Sequence, residues 1–255
     1  MFQVISFFIY WLKKVDEHSL QSPFLYSLYT RVILKRGIAD VEIEAIRNQL
    51  LQNDKLIQIM DYGAGSRVTT KSERSIKSIA KHASTPLNFS VFLAELIDYF
   101  QFSNVLELGT SLGINTLYLS QNSNVNVLTL EGDPNIASIA EDNFSTLNRR
   151  NIKTIIGNID QTLGFALEDS EKLDLVYIDA NHRFEPTLRY FDQIIQKCHQ
   201  QTVIVIDDIH WSKEMAMAWK TIISRSEVTL SIDLFEAGLI WLDPKFSKED
   251  YVLNF

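Results

Sequence analysis

Residues 105–131 read VLELGTSLGINTLYLSQNSNVNVLTLE, and this stretch decides the fold. Two short apolar runs, at 105–108 and 125–131, enclose a glycine turn and a helix-length segment at 114–121. Both runs are strongly apolar in the middle, which is typical of a strand covered by helices on both faces. The stretch therefore predicts two parallel strands joined by a helix.

The same alternation continues along the chain. Three more apolar runs follow, at 152–157, 173–179 and 202–208. Helical segments lie between and after the runs, at 134–149, 160–168, 185–199 and 212–224. Five such repeats predict an α/β fold with a doubly wound, mostly parallel sheet. The last apolar runs, TLSIDLF, GLIWLD and DYVLNF, have no helix between them and predict an antiparallel hairpin.

The chain before this sheet is predicted to be helical. We expect a helical extension over 1–85 and a sheet domain over 86–255. The apolar run Val4–Leu12 predicts an amphipathic helix that packs its aromatic face on the protein or on a second copy in a homodimer. A helix on a membrane surface is the alternative. The run is far shorter than the roughly 20 residues that span a membrane, so no integral membrane association is expected.

Charge and cysteine content exclude several classes of protein. The 255 residues carry 24 basic and 32 acidic side chains, which gives a net charge of −8. This charge disfavours nucleic acid and anionic membranes as partners, although a local basic patch could act against it. The single cysteine, Cys198, excludes an intramolecular disulfide and cysteine-rich zinc sites. One thiol and no recognisable signal sequence predict a cytoplasmic protein.

The glycine turn after the first strand predicts a nucleotide-like cofactor. Gly109 and Gly113 allow a close approach of the backbone to a ligand, but Ser111 stands where a dinucleotide site has its second glycine. The carboxylate of Glu107 would oppose a pyrophosphate and suit a positively charged ligand. Glu131 ends the second strand, where an acid can accept both hydroxyls of a ribose. This combination favours S-adenosylmethionine over a purely structural loop or another nucleotide.

A second glycine loop, Asp61–Ser66, is a less convincing site. No second strand or ribose acid follows it, and the next segment, 67–82, is basic. We predict a loop and a basic helix outside the sheet. The helix could be a solvated face or a lid over an anionic part of the substrate.

Acids and histidines follow the fourth and fifth strands. Because parallel strands end at one edge of the sheet, these side chains are expected to cluster there: Asp179, His182, Asp207, Asp208 and His210. Three carboxylates without a cation would repel one another and raise at least one pKa. Metal binding, metal-free catalysis and a structural role all remain open at this point.

Four segments of this pattern resemble a known family. ELGTSLG, LEGDPNIASIAEDNF, LDLVYIDANH and VIVIDDIHWS are similar to motifs of class I methyltransferases, and among them of the catechol O-methyltransferase-like small-molecule O-methyltransferases. The resemblance covers about residues 86–243. It implies a seven-stranded, Rossmann-like methyltransferase sheet that binds S-adenosylmethionine.

The resemblance also implies roles for individual residues. The methionine part of the cofactor would be surrounded by Glu107, Gly109, Thr110, Ser111 and Gly113. The ribose would meet Glu131, and the adenine would lie beside Gly157 and Asn158. Mg²⁺ or another divalent cation would be held by Asp179, itself also near the cofactor, together with Asp207 and Asp208.

Two positions depart from the family pattern. Asp208 replaces an amide, and His182 replaces a general-base lysine. The expected reaction is methyl transfer to an oxygen, or less favourably a nitrogen, of a small molecule, with His182 or His210 accepting the proton. The alternatives are a metal-independent methyltransferase with a histidine base and a non-catalytic S-adenosylmethionine-binding protein.

Overall fold

The structure, a computed structural model, describes residues 1–35, 37–60 and 73–255. In chain order its helices are α1 (Phe2–Lys13), α2 (Pro23–Leu28), α3 (Val41–Leu51), α4 (Ile76–His82), α5 (Leu87–Phe100), α6 (Ile114–Leu119), α7 (Pro134–Thr146), α8 (Ile159–Glu168), α9 (Phe184–Ile194) and α10 (Lys213–Ile223). The strands are β1 (Leu56–Gln58), β2 (Glu73–Ser75), β3 (Asn104–Leu108), β4 (Asn126–Glu131), β5 (Ile152–Ile156), β6 (Leu173–Ile178), β7 (Cys198–Asp207), β8 (Leu230–Asp233), β9 (Ala237–Trp241) and β10 (Glu249–Val252).

The α/β class and the alternation of strands and helices are confirmed. Strands β3–β10 form an eight-stranded, mostly parallel sheet, whereas the sequence predicts seven strands. The additional strand is β10, which pairs in parallel with β8 from Glu249↔Leu230 to Val252↔Asp233. The antiparallel hairpin expected at the end is formed by β8 and β9. The expectation did not include the parallel addition of β10 to the outer edge of β8. A short strand on a sheet edge has no pattern of its own that specifies its partner.

The chain divides into two compact units, one of residues 1–35 with 170–255 and one of residues 36–169. The predicted boundary at residue 85 separates a helical segment from a sheet segment, and it stays a prediction. None of the helices in the described ranges is long and apolar enough to cross a membrane.

The unit of residues 36–169 contains three parallel strands. β3 pairs with β4, and β4 pairs with β5. Buried apolar side chains of α3, α4 and α6 pack together with Phe144 of α7. Helix α3 begins at a side-chain cap, since Asp40 Oδ1 accepts hydrogen bonds from the backbone N–H groups of Glu42 and Ile43 at 2.9 and 3.1 Å.

The same unit holds what is described of the predicted loop and basic helix. The loop Asp61–Ser66, with the basic segment up to residue 72, lies outside the described residues. Glu73–Ser75 is not helical but forms β2, which pairs antiparallel with β1. The helix predicted here begins only at Ile76, because the Ser75 hydroxyl caps it by accepting a hydrogen bond from Ser78 N at 3.1 Å.

The other unit is built on five strands. β6 pairs in parallel with β7, and β9 runs antiparallel to both β7 and β8. β7 begins at Cys198, within the helix predicted over 185–199, because α9 ends at Ile194. The N-terminal helix α1 belongs to this unit and packs the rings of Phe7 and Tyr10 against Phe235, whereas Phe8 and Trp11 stay exposed. Only Ser6 and Tyr10 of α1 are buried.

Candidate active site

The glycine turn between β3 and α6 needs an unusual backbone. Gly109 and Gly113 have φ values of 103° and 80°, and Ser111 between them has φ 50°. A Cβ added to Gly113 would lie 2.5 Å from Cε1 of Phe144, closer than real side chains approach. Gly113 therefore serves two purposes, since it allows the left-handed turn and leaves room for α7.

Glu131 connects the end of β4 to this turn. Its Oε2 accepts a hydrogen bond from Ser111 N at 2.8 Å, and its Oε1 accepts one from Asp133 N at 3.0 Å. Burial raises the pKa of Glu131 above its usual range, and the two backbone donors act against that rise. The predicted ribose acid is thus fixed in place by backbone groups, while its contact with a ribose stays a prediction.

Glu107 lies deeper than the sequence suggests. Its side chain is fully buried and accepts hydrogen bonds from Asn115 Nδ2 at 2.8 Å, Thr116 Oγ1 at 2.5 Å and Thr129 Oγ1 at 2.7 Å. Thr129 Oγ1 also shares a hydrogen bond of 2.6 Å with Thr110 Oγ1. Burial raises the pKa of Glu107 to about 7. This geometry favours a role in joining β3, β4 and α6, and its predicted place around the methionine part stays a prediction.

Gly157 and Asn158 follow β5 as expected for residues beside the adenine. Gly157 has φ 139°, and its N–H donates to the carbonyl of Glu131 at 2.8 Å. The Asn158 side chain caps α8 by accepting a hydrogen bond from Asp160 N at 3.0 Å. The described residues after β3, β4 and β5 are therefore connected by hydrogen bonds, and the adenine position beside Gly157 and Asn158 stays a prediction.

The acids of the other unit come together as predicted. β6 and β7 are parallel neighbours with Ile178 opposite Ile206, so the residues that follow them emerge at one edge. His182 lies between two carboxylates. Its Nε2 is 3.4 Å from Asp179 Oδ1, and its Nδ1 is 3.7 Å from Asp208 Oδ2.

Asp207 is the most perturbed of these acids. Burial, and after it the charges of Asp179 and Asp208, raise the pKa of Asp207 well above its usual range. His182 and a hydrogen bond of 3.0 Å from Tyr177 Oη to Asp207 Oδ2 act against this rise. Tyr177 was not predicted to contribute, because it occurs inside an apolar strand pattern.

The backbone around these acids is strained. Asn181, His182 and Asp208 have φ values of 67°, 43° and 56°, in the left-handed region that side chains disfavour. Asn181 Nδ2 donates to Tyr190 Oη at 3.2 Å, which helps to hold this conformation. Strain of about 1–3 kcal/mol per residue persists only where the surroundings enforce it, and it concentrates at functional sites.

His210 has a partner that sequence reasoning missed. Its Nε2 is 2.8 Å from Asp233 Oδ2, and its ring stacks on Phe235 with centroids 5.2 Å apart. Asp233 Oδ1 accepts a hydrogen bond from Phe235 N at 2.8 Å, which fixes the carboxylate. The available signal was that Asp233 ends a strand, as Asp179 and Asp207 do, but only the tertiary structure shows which histidine it meets.

The predicted metal ligands have suitable chemistry but not a suitable arrangement. Carboxylates suit a hard divalent cation. Across the described ranges, however, no group of three His, Cys, Asp or Glu side chains is arranged to hold a metal ion. His182 instead lies between Asp179 and Asp208, 3.4 Å from an oxygen of the first and 3.7 Å from an oxygen of the second. As arranged, these residues do not fit a metal site.

Comparison with known proteins connects this geometry to a family. Residues 106–209 match a family described as a methyltransferase domain. This part of the chain is thus similar to methyltransferase domains. The matched range begins in β3 and ends after Asp208, so it includes both the glycine turn and the acids after β6 and β7.

A sequence relative supports the same family. A catechol O-methyltransferase of Niastella koreensis is 29% identical over 126 residues, which cover 48% of this chain and 56% of that protein. The chain thus matches little more than half the length of this relative. The resemblance inferred from the four motifs is confirmed.

Solved structures agree on the fold. A putative O-methyltransferase from Klebsiella pneumoniae has a TM-score of 0.60 at 16% identity, covering 87% of this chain and 97% of that chain. The O-methyltransferase TomG from Streptomyces achromogenes, in complex with S-adenosylmethionine, has a TM-score of 0.61 at 14% identity, covering 85% and 95%. At these identities the likeness establishes the fold alone.

Proposed function

We propose that this protein transfers a methyl group from S-adenosylmethionine to an oxygen of a small molecule. One observation carries the proposal: Glu131, the acid at the end of β4, is hydrogen-bonded to Ser111 N in the glycine turn at 2.8 Å. The turn and the acid thus form one element, in the part of the chain that matches a methyltransferase domain. A nitrogen acceptor is the less favoured version.

The residues after β3, β4 and β5 fit such a cofactor. Gly109 and Gly113 give the turn its left-handed backbone, and Gly113 also leaves room for Phe144 of α7. Glu131 would accept the ribose hydroxyls in addition to its backbone donors. Gly157 and Asn158 would lie beside the adenine, and Gly109, Thr110 and Ser111 beside the methionine part. Glu107 would stabilise this turn through its hydrogen bonds with Asn115, Thr116 and Thr129.

The protein's main tasks are alignment and removal of one proton. When bound, S-adenosylmethionine supplies a methyl group on a positive sulfur, which keeps the electron pair of the broken bond as a neutral thioether. The acceptor oxygen forms the new bond to carbon and loses its proton to a base. Rigid strand ends suit this task, because small errors of alignment slow such a transfer strongly.

Two histidines can accept the proton. His182 faces Asp179 and Asp208, and His210 is held by Asp233, so in each case a carboxylate would stabilise the imidazolium that forms. The His182→Gln and His210→Gln variants separate the two roles. The variant that loses turnover while keeping its affinity for S-adenosylmethionine identifies the base.

Assistance by Mg²⁺ or another divalent cation stays a prediction. Asp179, Asp207 and Asp208 would be its ligands after a rearrangement around His182. The position of His182 between two of these acids favours the metal-independent version. Turnover with and without a chelator decides between them.

The first experiment is a titration of S-adenosylmethionine by calorimetry, followed by turnover with a panel of small hydroxylated molecules. Formation of S-adenosylhomocysteine that depends on an acceptor supports the proposal. Binding without any turnover across acceptors and cell extract would favour a non-catalytic S-adenosylmethionine-binding protein. A small-molecule acceptor and a cytoplasmic location accompany this proposal.

A further inference from the structure

Helix α1 is attached to its unit through the side that carries Ser6, Phe7 and Tyr10, and the rings of Phe7 and Tyr10 pack against Phe235. Tyr10 Oη donates to the Leu253 carbonyl at 2.6 Å, and Lys14 Nζ donates to Asn254 Oδ1 at 2.6 Å. Ser6 and Tyr10 are the buried residues of the helix. The backbone of Val15 continues the attachment by donating to the Val252 carbonyl at 2.8 Å. The orientation of α1 on this chain is therefore fixed by specific contacts.

The apolar side of α1 faces outward. Five apolar side chains at helical spacing form one continuous outer face, with exposed fractions of 72% for Val4, 53% for Ile5, 58% for Phe8, 53% for Trp11 and 62% for Leu12. The rings of Phe8 and Trp11 stack within this face, with centroids 6.3 Å apart. We call these five residues the α1 face. An amphipathic helix normally buries such a side, but here it is exposed while a narrower side of the helix contacts the unit.

We propose that the α1 face pairs with the α1 face of a second copy of this chain. Val4, Phe8 and Trp11 repeat at intervals of four and three residues, which is the spacing of a seam between two helices. An antiparallel pair centred on Phe8 would place Val4 opposite Leu12 and Ile5 opposite Trp11. Such an arrangement is self-complementary, as a two-fold interface must be.

The area of the α1 face is sufficient for a modest dimer. Five side chains that are more than half exposed, each with a surface on the order of 200 Å², offer about 500 Å² per copy. Two copies would bury on the order of 1,000 Å², which is the lower limit for a specific interface. A weak, concentration-dependent dimer is expected from this area.

The charges near α1 favour a second copy over a membrane. No charged residue lies between Phe2 and Leu12, so two copies can meet there without repulsion between like charges. Lys13 and Lys14 end the helix, but Asp16 and Glu17 follow at once and offset them. An interfacial membrane helix instead carries many basic residues on its polar side. Here that side is occupied by Leu253 and Asn254.

Sedimentation velocity of the full chain over a range of concentrations tests this pairing. The wild-type protein is expected to reach twice the chain mass of 29.3 kDa. Phe8→Glu should weaken the dimer at least tenfold, because it places a charge at the centre of the seam. Phe165→Glu is the matched control, since Phe165 is a 72% exposed aromatic residue on α8, and it should leave the dimer unchanged.

Cross-linking provides a second, independent measurement. In a Cys198→Ser background, Phe8→Cys should form a disulfide between two chains under mild oxidation, and Phe165→Cys should not. A monomeric wild-type protein, or a dimer that Phe8→Glu leaves intact, overturns the proposal. Monomeric wild-type protein that sediments with phosphatidylcholine and phosphatidylserine vesicles, when the Phe8→Glu variant does not, would assign the α1 face to a membrane surface.

Discussion

The carboxylates of the two compact units have different surroundings. In the unit of residues 36–169, Glu107 and Glu131 each accept hydrogen bonds from several donors of their own unit. In the other unit, Asp207 lies near the charges of Asp179 and Asp208, and His182 faces those two acids at 3.4 and 3.7 Å. The same chemical group thus serves as a structural acceptor in one place and as part of a crowded acidic cluster in the other.

The backbone shows the same difference. The glycine turn reaches the left-handed region largely with glycines, at Gly109 and Gly113, which adopt it without cost. The acidic cluster reaches it with Asn181, His182 and Asp208, which do not. A preformed turn built largely on glycines suits binding, whereas strain enforced on polar and charged side chains suits chemistry. Substitutions in the two units should therefore have different consequences.

The largest effect is expected from Asp179→Ala. Turnover should fall about a hundredfold or more, because His182 loses the nearer of its two carboxylates. Affinity for S-adenosylmethionine should change little, since Glu131 and the glycine turn are untouched. Asp208→Asn, which restores the amide of the family pattern, should cost only a few-fold. Equal losses of binding and turnover in Asp179→Ala would break the comparison between the two units.

Gly113→Ala should destabilise the glycine turn. The new Cβ would lie 2.5 Å from Phe144 Cε1 on a backbone with φ 80°, so the free energy of unfolding should fall by about 2–4 kcal/mol. Urea denaturation measures this change. Gly164→Ala is the control, because Gly164 is an exposed residue inside α8 and alanine there should raise stability by about 0.5–1 kcal/mol. Similar values for both variants would show that the turn needs no glycine.

Glu107→Gln should change how stability depends on pH. The pKa of Glu107 is about 7 in the folded protein against an ordinary value of 4.5, so the folded state binds a proton that the unfolded state has lost between these values. The ionisation of Glu107 therefore lowers the free energy of unfolding as the pH rises from 4.5 to 7. The glutamine variant has no ionisable group at this position and does not show this decrease. Relative to the variant, the wild-type protein should lose about 1–3 kcal/mol between pH 5 and pH 8. Parallel pH curves in urea denaturation would refute the buried cluster.

Glu131→Ala should have the smallest effect of this series. Loss of an acceptor for the ribose hydroxyls should weaken S-adenosylmethionine binding at least tenfold, or about 1.4 kcal/mol. Glu141→Ala is the control, because Glu141 is an exposed acid on α7. Calorimetry that finds equal affinities for both variants would remove the ribose assignment. Asp61→Ala, in the other glycine loop, should leave the affinity unchanged.

The sequence alone determined the order of strands and helices from β3 to α10. Apolar runs and N-cap residues are local signals, and they specify local structure within a few residues. They also placed Asp179, His182, Asp207 and Asp208 at strand ends that meet at one edge, because parallel pairing follows from the alternation itself. The orientation of α1 had no such signal, because a helix that is apolar on most sides does not show which side is covered.

Only the tertiary structure decided which distant groups meet. Glu107 accepts a hydrogen bond from Thr129 of the neighbouring strand, and His210 is hydrogen-bonded to Asp233 at the end of β8. The parallel pairing of β10 with β8 likewise depends on an edge strand with no pattern that names its partner. Each of these contacts joins segments far apart in sequence, so its free energy depends on packing and burial created by the whole fold. Local periodicity carries no information about such contacts. The positions of the acids at strand ends could therefore be predicted from the sequence, but their hydrogen-bond partners could not.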